Sequence, residues 1–507
     1  MFNFKDLPRS LFLLSLIVIA IGLPSSKFLM SLGQFGVVLA WILKGEYQHS
    51  VKNFFTNKTL LVLSSLFLLH LIGLIYTQNF DYGLRDVRVK LPIFILPFFS
   101  APFLPLKRRE WFWILHFFVL SVLFVSGIGF YRKFTNPDLP FSPFVSHIRF
   151  GLMIDFALFV TLYFLRQKLI YRGLYIAALI ILLSALYFLG SLTAFVVLIL
   201  ATITVIIVFP VRYFSLPVKL SLTIGILLLS VGVFYFNYYQ PYKEINKEKE
   251  LPVLTHSPNG EKYYSDLSFS EGFTRENGYY IWQNIAWEEL RQSWQKVSNK
   301  PFDDSTGNAL KFTLVRYMTS KGLNKDASDF KKLSPKDIQA IEKGIANYRL
   351  TNMNKLEKRI YQTIWELEVW QKNGNPSGHS LVMRFIYWES AVNVWLKHPF
   401  IGVGTGDIYD EVMKWQKENS KLEEGFYKHP HNQYLTMLAT FGVVGFVWFL
   451  FWIFYPIVTL SKHTLLSIAF SAIVVVSYLN EDTLETQAGV TFVMLFSTLL
   501  YSSKKVY

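Results

Sequence analysis

The chain has 507 residues, of which 52% are hydrophobic and 17% aromatic, and it contains no Cys. Apolar runs of this number and length exclude a soluble globular protein, and the lack of Cys excludes a disulfide scaffold. The formal net charge of +15 is common in nucleic-acid-binding proteins. We interpret it instead as the excess of Lys and Arg in the cytoplasmic loops of a membrane protein, and we expect no nucleic-acid partner.

Apolar runs close to the length of a membrane span recur along the chain. They lie at 9–23, 28–43, 59–76, 91–106, 111–131, 150–165, 173–190, 191–209, 218–236, 434–460, 463–479 and 484–502. These runs predict an all-α polytopic integral membrane protein with about 12 transmembrane helices. The first run resembles a signal peptide, but a second run follows directly and no cleavage pattern separates them. We therefore interpret it as an uncleaved signal anchor.

The distribution of basic residues predicts the topology. If the N-terminus is cytoplasmic, clusters such as Lys107, Arg108 and Arg109 lie inside, whereas 24–27, 190–191 and 480–484 lie outside with almost no positive charge. Both termini are then cytoplasmic. The predicted domains are about nine transmembrane helices at 1–236, a large helical periplasmic loop domain at 237–433, and about three transmembrane helices at 434–507.

Within the periplasmic domain, the sequence predicts several helices. The stretch 277–296 has apolar residues near one helical face. Ser334-Pro335-Lys336-Asp337 is a typical helix start, with a capping Ser and Pro in the first turn. The stretch 380–396 has Trp and Phe at helical spacing, which predicts an amphipathic helix at the bilayer interface.

The first candidate site lies at His431 and Asn432, directly before the apolar run 434–460. Asn432 can cap the helix, and the partial positive charge of the helix N-terminus keeps a nearby imidazole neutral and attracts anions. His431 is therefore a candidate general base. The alternative is that both residues only cap the helix. Gly442 and Gly445 are predicted to pack between membrane helices.

The second set of candidates is cationic. Arg88, Lys90 and Arg149 lie in two predicted outside loops, 77–90 and 132–149, where they break the charge bias. Their side chains suit phosphate oxygens, although short loops also tolerate a few charges. Arg384 lies four residues before Trp388 on the predicted interfacial helix, so both side chains point in the same general direction.

Two further stretches are less specific. Gly402 and Gly404 belong to a flexible loop that lets the backbone approach a partner closely. The acidic stretch 480–485 is interpreted as a solvated turn, and the alternative is an acid that orients His431. His429 and His431 could be metal ligands, but no acidic set with ligand spacing lies nearby, so no metal site and no cofactor are predicted.

The chain resembles the O-antigen ligase family of bacterial membrane glycosyltransferases, which also includes O-antigen polymerases and protein O-oligosaccharyltransferases. The resemblance rests on the order of the spans, with one large loop before the last group, and on two motifs. The motif residues are His431, Asn432, Gly442 and Gly445 in one motif and Arg384, Trp388, Pro399, Gly402 and Gly404 in the other.

The resemblance implies transfer of a glycan from undecaprenyl diphosphate to an outer-leaflet acceptor, with lipid A-core as the expected acceptor and other hydroxyl groups as alternatives. It places the chain in the bacterial inner membrane, among membrane lipids, with the active site facing the periplasm. His431 would accept the acceptor proton, and Arg384 matches the family's essential periplasmic Arg. The residues expected to bind the diphosphate or the acceptor are Arg88, Lys90, Arg149, His429, Asn432, Trp388, Gly402 and Gly404.

Two alternatives to a ligase remain open. A polymerase or a protein O-oligosaccharyltransferase would use the same chemistry on another acceptor. A transporter or flippase for a lipid-linked saccharide would need charged residues deep within several spans, where the sequence has mainly Asp155, His70 and His116. The charges instead cluster at the predicted outer mouth, which favours surface chemistry. The oligomeric state is not predicted.

Overall fold

The computed structural model describes residues 6–136, 139–167, 171–209, 215–267, 275–303, 310–373, 380–460 and 464–502. These residues form an all-α fold with one short two-stranded ribbon, β1 (Arg275–Glu276) and β2 (Tyr279–Tyr280). The chain divides into two compact units. The larger unit contains Met1–Leu227 and Met383–Tyr507, and the smaller unit contains Leu228–Val382.

The helices are numbered in chain order. The first group is α1 (Leu7–Ser25), α2 (Lys27–Lys44), α3 (Tyr47–Thr56), α4 (Lys58–Gly73), α5 (Phe80–Ser100), α6 (Arg108–Thr135), α7 (His147–Arg166), α8 (Arg172–Leu189), α9 (Leu192–Val208) and α10 (Leu216–Phe234). The second group is α11 (Gln240–Ile245), α12 (Trp287–Gln295), α13 (Leu310–Ser320), α14 (Ala327–Phe330), α15 (Pro335–Glu342) and α16 (Lys355–Asn373). The last group is α17 (Ser380–Lys397), α18 (Ile408–Asn419), α19 (Gln433–Val458), α20 (Leu465–Ser477) and α21 (Gln487–Tyr501).

Within the described residues, seven helices are long and apolar enough to cross a membrane: α1, α2, α6, α7, α8, α10 with the turns that follow it, and α19. The α3–α4 pair, bent by 92°, makes an eighth if it is one broken span. The helices α9, α20 and α21 are apolar but shorter. These helices confirm an all-α multi-pass membrane protein, and the number of about 12 spans stays a prediction.

The larger unit is a bundle with one large apolar core and smaller apolar clusters beside it. Helix α1 packs on α2 and α6, α5 packs on α4 and α21, and α20 packs on α7 and α9. Phe156 and Phe496 lie at its centre with ring centroids 4.7 Å apart. Aromatic side chains bury large apolar areas and hold specific edge-to-face geometry, so these contacts fix how the helices cross. Helix α19 packs on α4 and carries the candidate histidines at its N-terminal end.

Helix α5 begins earlier than predicted. The sequence predicts a loop at 77–90 before a span at 91–106, but the structure starts the helix at Phe80. The side chain of Asn79 accepts a hydrogen bond from the backbone N–H of Tyr82 at 3.1 Å and so caps this helix. As a result, Arg88 and Lys90 lie on a helix rather than in a loop, and they point in different directions.

The smaller unit has its own core of apolar side chains, including Leu290, Trp294 and Tyr317. The predicted helix start at Ser334 is confirmed, because the Ser334 and Asp337 side chains form a reciprocal capping box at the N-terminus of α15. The predicted helix 277–296 is wrong in its first half. Asn277 and Gly278 adopt positive φ angles of 49° and 91°, which is the geometry of a hairpin turn between β1 and β2. The helix is therefore limited to α12.

Candidate active site

His431 lies in the segment before α19, and its backbone conformation is unusual. Its φ of 51° is in the left-handed region, which is uncommon for residues other than Gly, Asn and Asp. The backbone N–H of His431 donates to the Asp482 carboxylate at 2.8 Å. The next residue, Asn432, caps α19 by accepting from the N–H of Leu435 at 3.1 Å. The predicted cap is therefore present, and it holds His431 at the end of the helix.

Asp482 is the main polar partner of this segment. This residue is 3% exposed, and its carboxylate also accepts a hydrogen bond from the Thr436 hydroxyl at 2.9 Å. The His431 Nδ1 atom lies 4.0 Å from the nearer Asp482 oxygen, which is beyond hydrogen-bonding distance. Asp482 thus fixes the backbone of His431 and stands beside its ring. The predicted solvated turn at 480–485 is wrong, because Glu481, Asp482, Thr483 and Leu484 are buried.

Two arginines bind the same turn. Arg149, in the first turn of α7, donates to the Glu481 carboxylate at 2.7 Å and to the backbone carbonyl of Asp482 at 3.4 Å. Arg384, on α17, donates to the backbone carbonyl of Asn480 at 2.9 Å. The structure therefore brings Arg149, Arg384 and His431 together around one buried turn, although they are far apart in sequence.

The electrostatic surroundings keep His431 neutral. Burial, and then the positive charge of Arg384, lower the pKa of the His431 imidazole from its usual value of 6.5 to about 4. Burial, together with the negative charge of Glu485, raises the pKa of the Asp482 carboxyl to about 7. A neutral imidazole beside two guanidinium groups can accept a proton and face an anionic group at the same time.

The other predicted histidine, His429, lies in an aromatic environment. Its ring stacks on Tyr409 with centroids 4.5 Å apart, and its Nε2 lies 3.2 Å from the Tyr82 hydroxyl. Burial lowers the pKa of His429. Its Nδ1 atom is buried without a hydrogen-bond partner among the described residues. The ring is held in place from two sides, which suits positioning more than proton exchange with solvent.

The predicted cations on α5 separate in the structure. Lys90 is fully buried, and its ammonium group contacts the carboxylates of Asp86 and Glu485, each at 2.8 Å. This arrangement satisfies the Lys90 charge within the protein. Arg88 is exposed and makes no hydrogen bond or ion pair within the described ranges. Arg88 is thus available to an external anion, whereas Lys90 ties α5 to the segment before α21.

The predicted glycines form a joint between the loop after α17 and a kink in α19. Gly442 has φ 62° and ψ −168° inside α19, so the helix breaks there. The freed backbone groups pair with the loop: Val403 N–H donates to Ala439 at 3.1 Å, and Val443 N–H donates to Pro399 at 2.8 Å. A Cβ at Gly442 would lie 2.2 Å from the Phe400 backbone, so only Gly fits.

Gly402 and Gly404 take part in the same joint. Both have positive φ angles, of 68° and 96°, and a Cβ at Gly402 would lie 2.3 Å from the Thr440 carbonyl oxygen. Gly445 is also tightly placed, because a Cβ there would lie 2.2 Å from the Phe441 side chain. Gly402 and Gly404, which were predicted to bind substrate, thus contact backbone in this structure. Gly442 meets the loop after α17 closely, whereas the closest neighbour of Gly445 is Phe441, one turn earlier in α19.

Trp388 lies one helical turn after Arg384. Its ring packs edge-on against Phe385 with centroids 5.7 Å apart. Its indole Nε1 is buried without a hydrogen-bond partner in the described part of the chain. An interfacial position for α17 is not tested and stays a prediction. As for metals, the described residues contain no group of three or more His, Cys, Asp and Glu side chains that could hold an ion.

Two further residues lie at His431: Asp482, which the sequence offers only through the alternative of an orienting acid in 480–485, and Tyr387, which was not predicted. Asp482 contacts its backbone, and Tyr387 lies with its ring centroid 5.9 Å from the imidazole. The available signal for Asp482 was its position between two apolar runs, where carboxylates are costly and usually functional. Tyr387 gave no signal beyond its position between Arg384 and Trp388.

No curated protein matches the chain. A family model matches the segment that carries α17, the kinked part of α19 and the His431 motif. A match to this family indicates a membrane glycosyltransferase of the ligase or polymerase type. The resemblance predicted from the motifs is confirmed over this segment, because residues 344–450 match the family model described as O-Antigen ligase.

Proposed function

We propose that this protein transfers a glycan from undecaprenyl diphosphate to a hydroxyl group of an outer-leaflet acceptor, with lipid A-core as the expected acceptor. The observation that carries the proposal is the placement of a neutral His431 beside Arg384 and Arg149 on one buried turn. A base next to two cations suits a reaction in which a hydroxyl loses a proton while a diphosphate departs.

In this reaction the chain supplies a general base and two cationic side chains. His431 accepts the proton of the acceptor hydroxyl as its oxygen attacks the anomeric carbon, and the bond to the diphosphate breaks with its electrons on the phosphate oxygen. Arg384 and Arg149 stabilise the negative charge of the leaving lipid diphosphate. The donor bond supplies the driving force, so the proposal includes no nucleotide, metal or cofactor.

Donor binding also strengthens the base. The positive charge of Arg384 is a main cause of the low pKa of His431 after burial. A bound diphosphate places negative charge beside the same guanidinium group, which opposes that effect and raises the pKa of the imidazole. His431 therefore becomes a better proton acceptor when the leaving group is in place, because a general base works best with a pKa near the working pH.

The experiment that tests this proposal is the substitution His431→Ala. We expect transfer to fall by about 10²–10⁴-fold, which is the usual contribution of a general base, with unchanged expression and membrane insertion. The matched control is His49→Ala, because His49 is exposed on α3. Full activity in His431→Ala together with loss in His429→Ala would show that the wrong histidine had been chosen.

The acceptor requires a separate experiment. Deletion of the gene should remove long-chain lipopolysaccharide if the acceptor is lipid A-core. A polymerase would instead leave chains of a single repeat, and a protein O-oligosaccharyltransferase would leave unmodified glycoproteins. The expected result is the first of these three, and either of the others would replace the acceptor while keeping the chemistry.

A further inference from the structure

A cleft of about 330 Å³ lies beside the joint between the loop after α17 and α19, away from the residues assigned above to catalysis. It is lined by Tyr76 and Gln78 at the end of α4, by the loop 398–403, and by Asp407 and Glu411 at the start of α18. A volume of this size suits the head of a small ligand. We refer to it as the tip cleft.

The tip cleft lies beside the kink of α19, a candidate membrane span. Gly442, where the loop pairs with α19, is about 15 Å along the helix from the Asn432 cap at 1.5 Å per residue. The loop exposes Phe400 at 73% and Ile401 at 57%, and Ile75 beside it is 83% exposed. Exposed apolar side chains next to a candidate membrane span suit contact with lipid chains. Irregular backbone is tolerated there because α19 satisfies its hydrogen bonds.

The tip cleft combines this apolar rim with polar groups that have no partner. The side chains of Gln78, His398 and Glu411 make no hydrogen bond to other described residues. The Tyr76 ring is held in place by its hydroxyl, which donates to the Ile401 carbonyl at 2.8 Å. Together these groups present donors and acceptors next to aromatic faces, where a ligand with both hydroxyl groups and an apolar side can bind.

The charge of the tip cleft selects among amphiphilic ligands. Its lining residues include two carboxylates, Asp407 and Glu411, and no Lys or Arg. A phosphate group placed there would meet like charge, which disfavours both the donor diphosphate and a phospholipid headgroup. A sugar ring is neutral or, as an amino sugar, cationic. Neighbouring hydroxyl groups of a sugar can form hydrogen bonds with a carboxylate and an amide such as those of Glu411 and Gln78. The C–H face of the sugar can pack on an aromatic ring such as that of Tyr76.

The first turn of α18 connects the tip cleft to the candidate active site. Asp407 and Glu411 line the cleft, whereas Tyr409, between them in sequence, stacks on His429. Asp407 also accepts hydrogen bonds from the backbone N–H groups of Gln78 and Asn79 at 2.8 Å and 2.7 Å. These bonds hold the start of α18 against the segment after α4 on this side of the cleft. The cleft is therefore about one helix diameter, about 10 Å, from His429.

We infer that the tip cleft binds a sugar ring of a membrane-anchored glycan substrate, with the ring between Glu411, Gln78 and Tyr76 and the lipid chain against Phe400 and Ile401. This inference rests on the proposed function. Because the cleft is a helix diameter from the histidines, it holds a sugar other than the one that reacts. It thus increases affinity for glycolipid without taking part in the chemical step.

The test uses the full chain, purified in a detergent without a sugar headgroup, and a dodecyl maltoside that carries a photoreactive diazirine. Titration of the probe followed by mass spectrometry gives an apparent Kd from the labelling of the loop 398–403. We expect the double substitution Glu411→Gln with Gln78→Ala to raise this Kd about tenfold, since charge-assisted hydrogen bonds are lost. The control Glu418→Gln, on the exposed end of α18, should leave it unchanged.

An unchanged Kd in the double variant would overturn the inference. Stronger labelling of this loop by a diazirine-bearing phosphatidylethanolamine than by the maltoside probe would also overturn it. The cleft would then be a site for an aminolipid. The labelling needs no catalysis, so it separates the two proposals: a wild-type protein that labels as expected but transfers no glycan contradicts the proposed function and leaves the cleft assignment in place.

Discussion

His431 combines three properties at one residue: a left-handed backbone, a half-buried neutral ring and two cationic neighbours. A non-Gly residue in this conformation costs about 1–3 kcal/mol, and it persists where its surroundings hold it. Here the Asp482 carboxylate holds the backbone N–H, and the Asn432 cap holds the next residue. These two contacts hold His431 in a position where the charge of Arg384 acts on its imidazole.

The role of Arg384 depends on the geometry of its guanidinium group. One N–H donates to the Asn480 carbonyl, and the guanidinium group is close enough for its charge to act on His431. A lysine keeps the charge but cannot bind two phosphate oxygens in one plane. We therefore expect Arg384→Lys to lose about 10- to 100-fold in transfer rate, and Arg384→Ala to lose more.

The measurement for Arg384 is the transfer rate at equal membrane abundance, with Arg172→Lys on the exposed start of α8 as the control. If Arg384 only anchors α17 at the membrane surface, a lysine replaces it well, because anchoring needs only a long stem and a charge. A near-normal rate in Arg384→Lys would remove Arg384 from the diphosphate site.

The pH dependence of transfer follows from Asp482. Its pKa is raised to about 7 by burial and by Glu485, so it is protonated at lower pH and ionised above neutrality. The ionised form stabilises the imidazolium that develops on His431, whereas His431 itself is neutral from about pH 5 upward. Transfer should therefore rise with pH up to about 7 and then level off.

The matching measurement is the pH profile of kcat/KM, which reports the groups of the free enzyme. Asp482→Asn should abolish the rise and leave a low rate that does not change with pH. The control Asp81→Asn, on the exposed start of α5, should keep the rise of kcat/KM with pH. The same rise in Asp482→Asn as in the wild type would assign the ionisation to another group.

At the scale of elements, the joint at Gly442 explains both glycine-containing motifs as one structure. The kink in α19 frees backbone groups that the loop after α17 then binds. This joint fixes the loop, α17 and α18 against α19, and so it fixes Arg384 and Tyr409 relative to the histidines. The glycines act on the site through backbone geometry rather than through ligand contact.

Substitutions at the joint should destabilise the fold. In Gly442→Ala and Gly402→Ala, the added Cβ would lie within 2.3 Å of the opposing backbone at a positive φ. We expect each to lower stability by more than about 1 kcal/mol, visible as a lower Tm in detergent. Gly127→Ala in α6 is the control, because its Cβ meets no atom within 4 Å. An unchanged Tm in Gly442→Ala would contradict the joint.

The sequence predicted the local features of these elements and not their pairing. The Asn432 cap and the Ser334 capping box follow from short-range side-chain chemistry, which sequence spacing shows directly. The burial of Lys90 depends on Glu485, and the support of His431 depends on Asp482. Both partners come from a distant part of the chain, so no local pattern indicates them. The kink at Gly442 likewise appears in the sequence as an ordinary glycine within an apolar run.

At the scale of the whole molecule, the chain is a multi-pass membrane bundle with a second compact unit inserted between its parts in the sequence. The predicted candidates Arg149, Arg384 and His431 come from three separate regions and meet at the turn 480–482. Charged residues deep within the spans are few, and Asp155 is buried with neither oxygen bonded among the described residues. The candidate site residues thus meet at one end of the bundle, at the turn before α21.

We propose that this protein catalyses transfer between two lipid-anchored molecules on one face of a membrane. The most direct measurement reconstitutes the full chain in proteoliposomes, with undecaprenyl-diphosphate-linked glycan and lipid A-core on the same side, in EDTA and without nucleotide. We expect glycosylated lipid A-core to form while no donor crosses the bilayer. Movement of the donor across the bilayer without formation of product would contradict it and would favour a transporter.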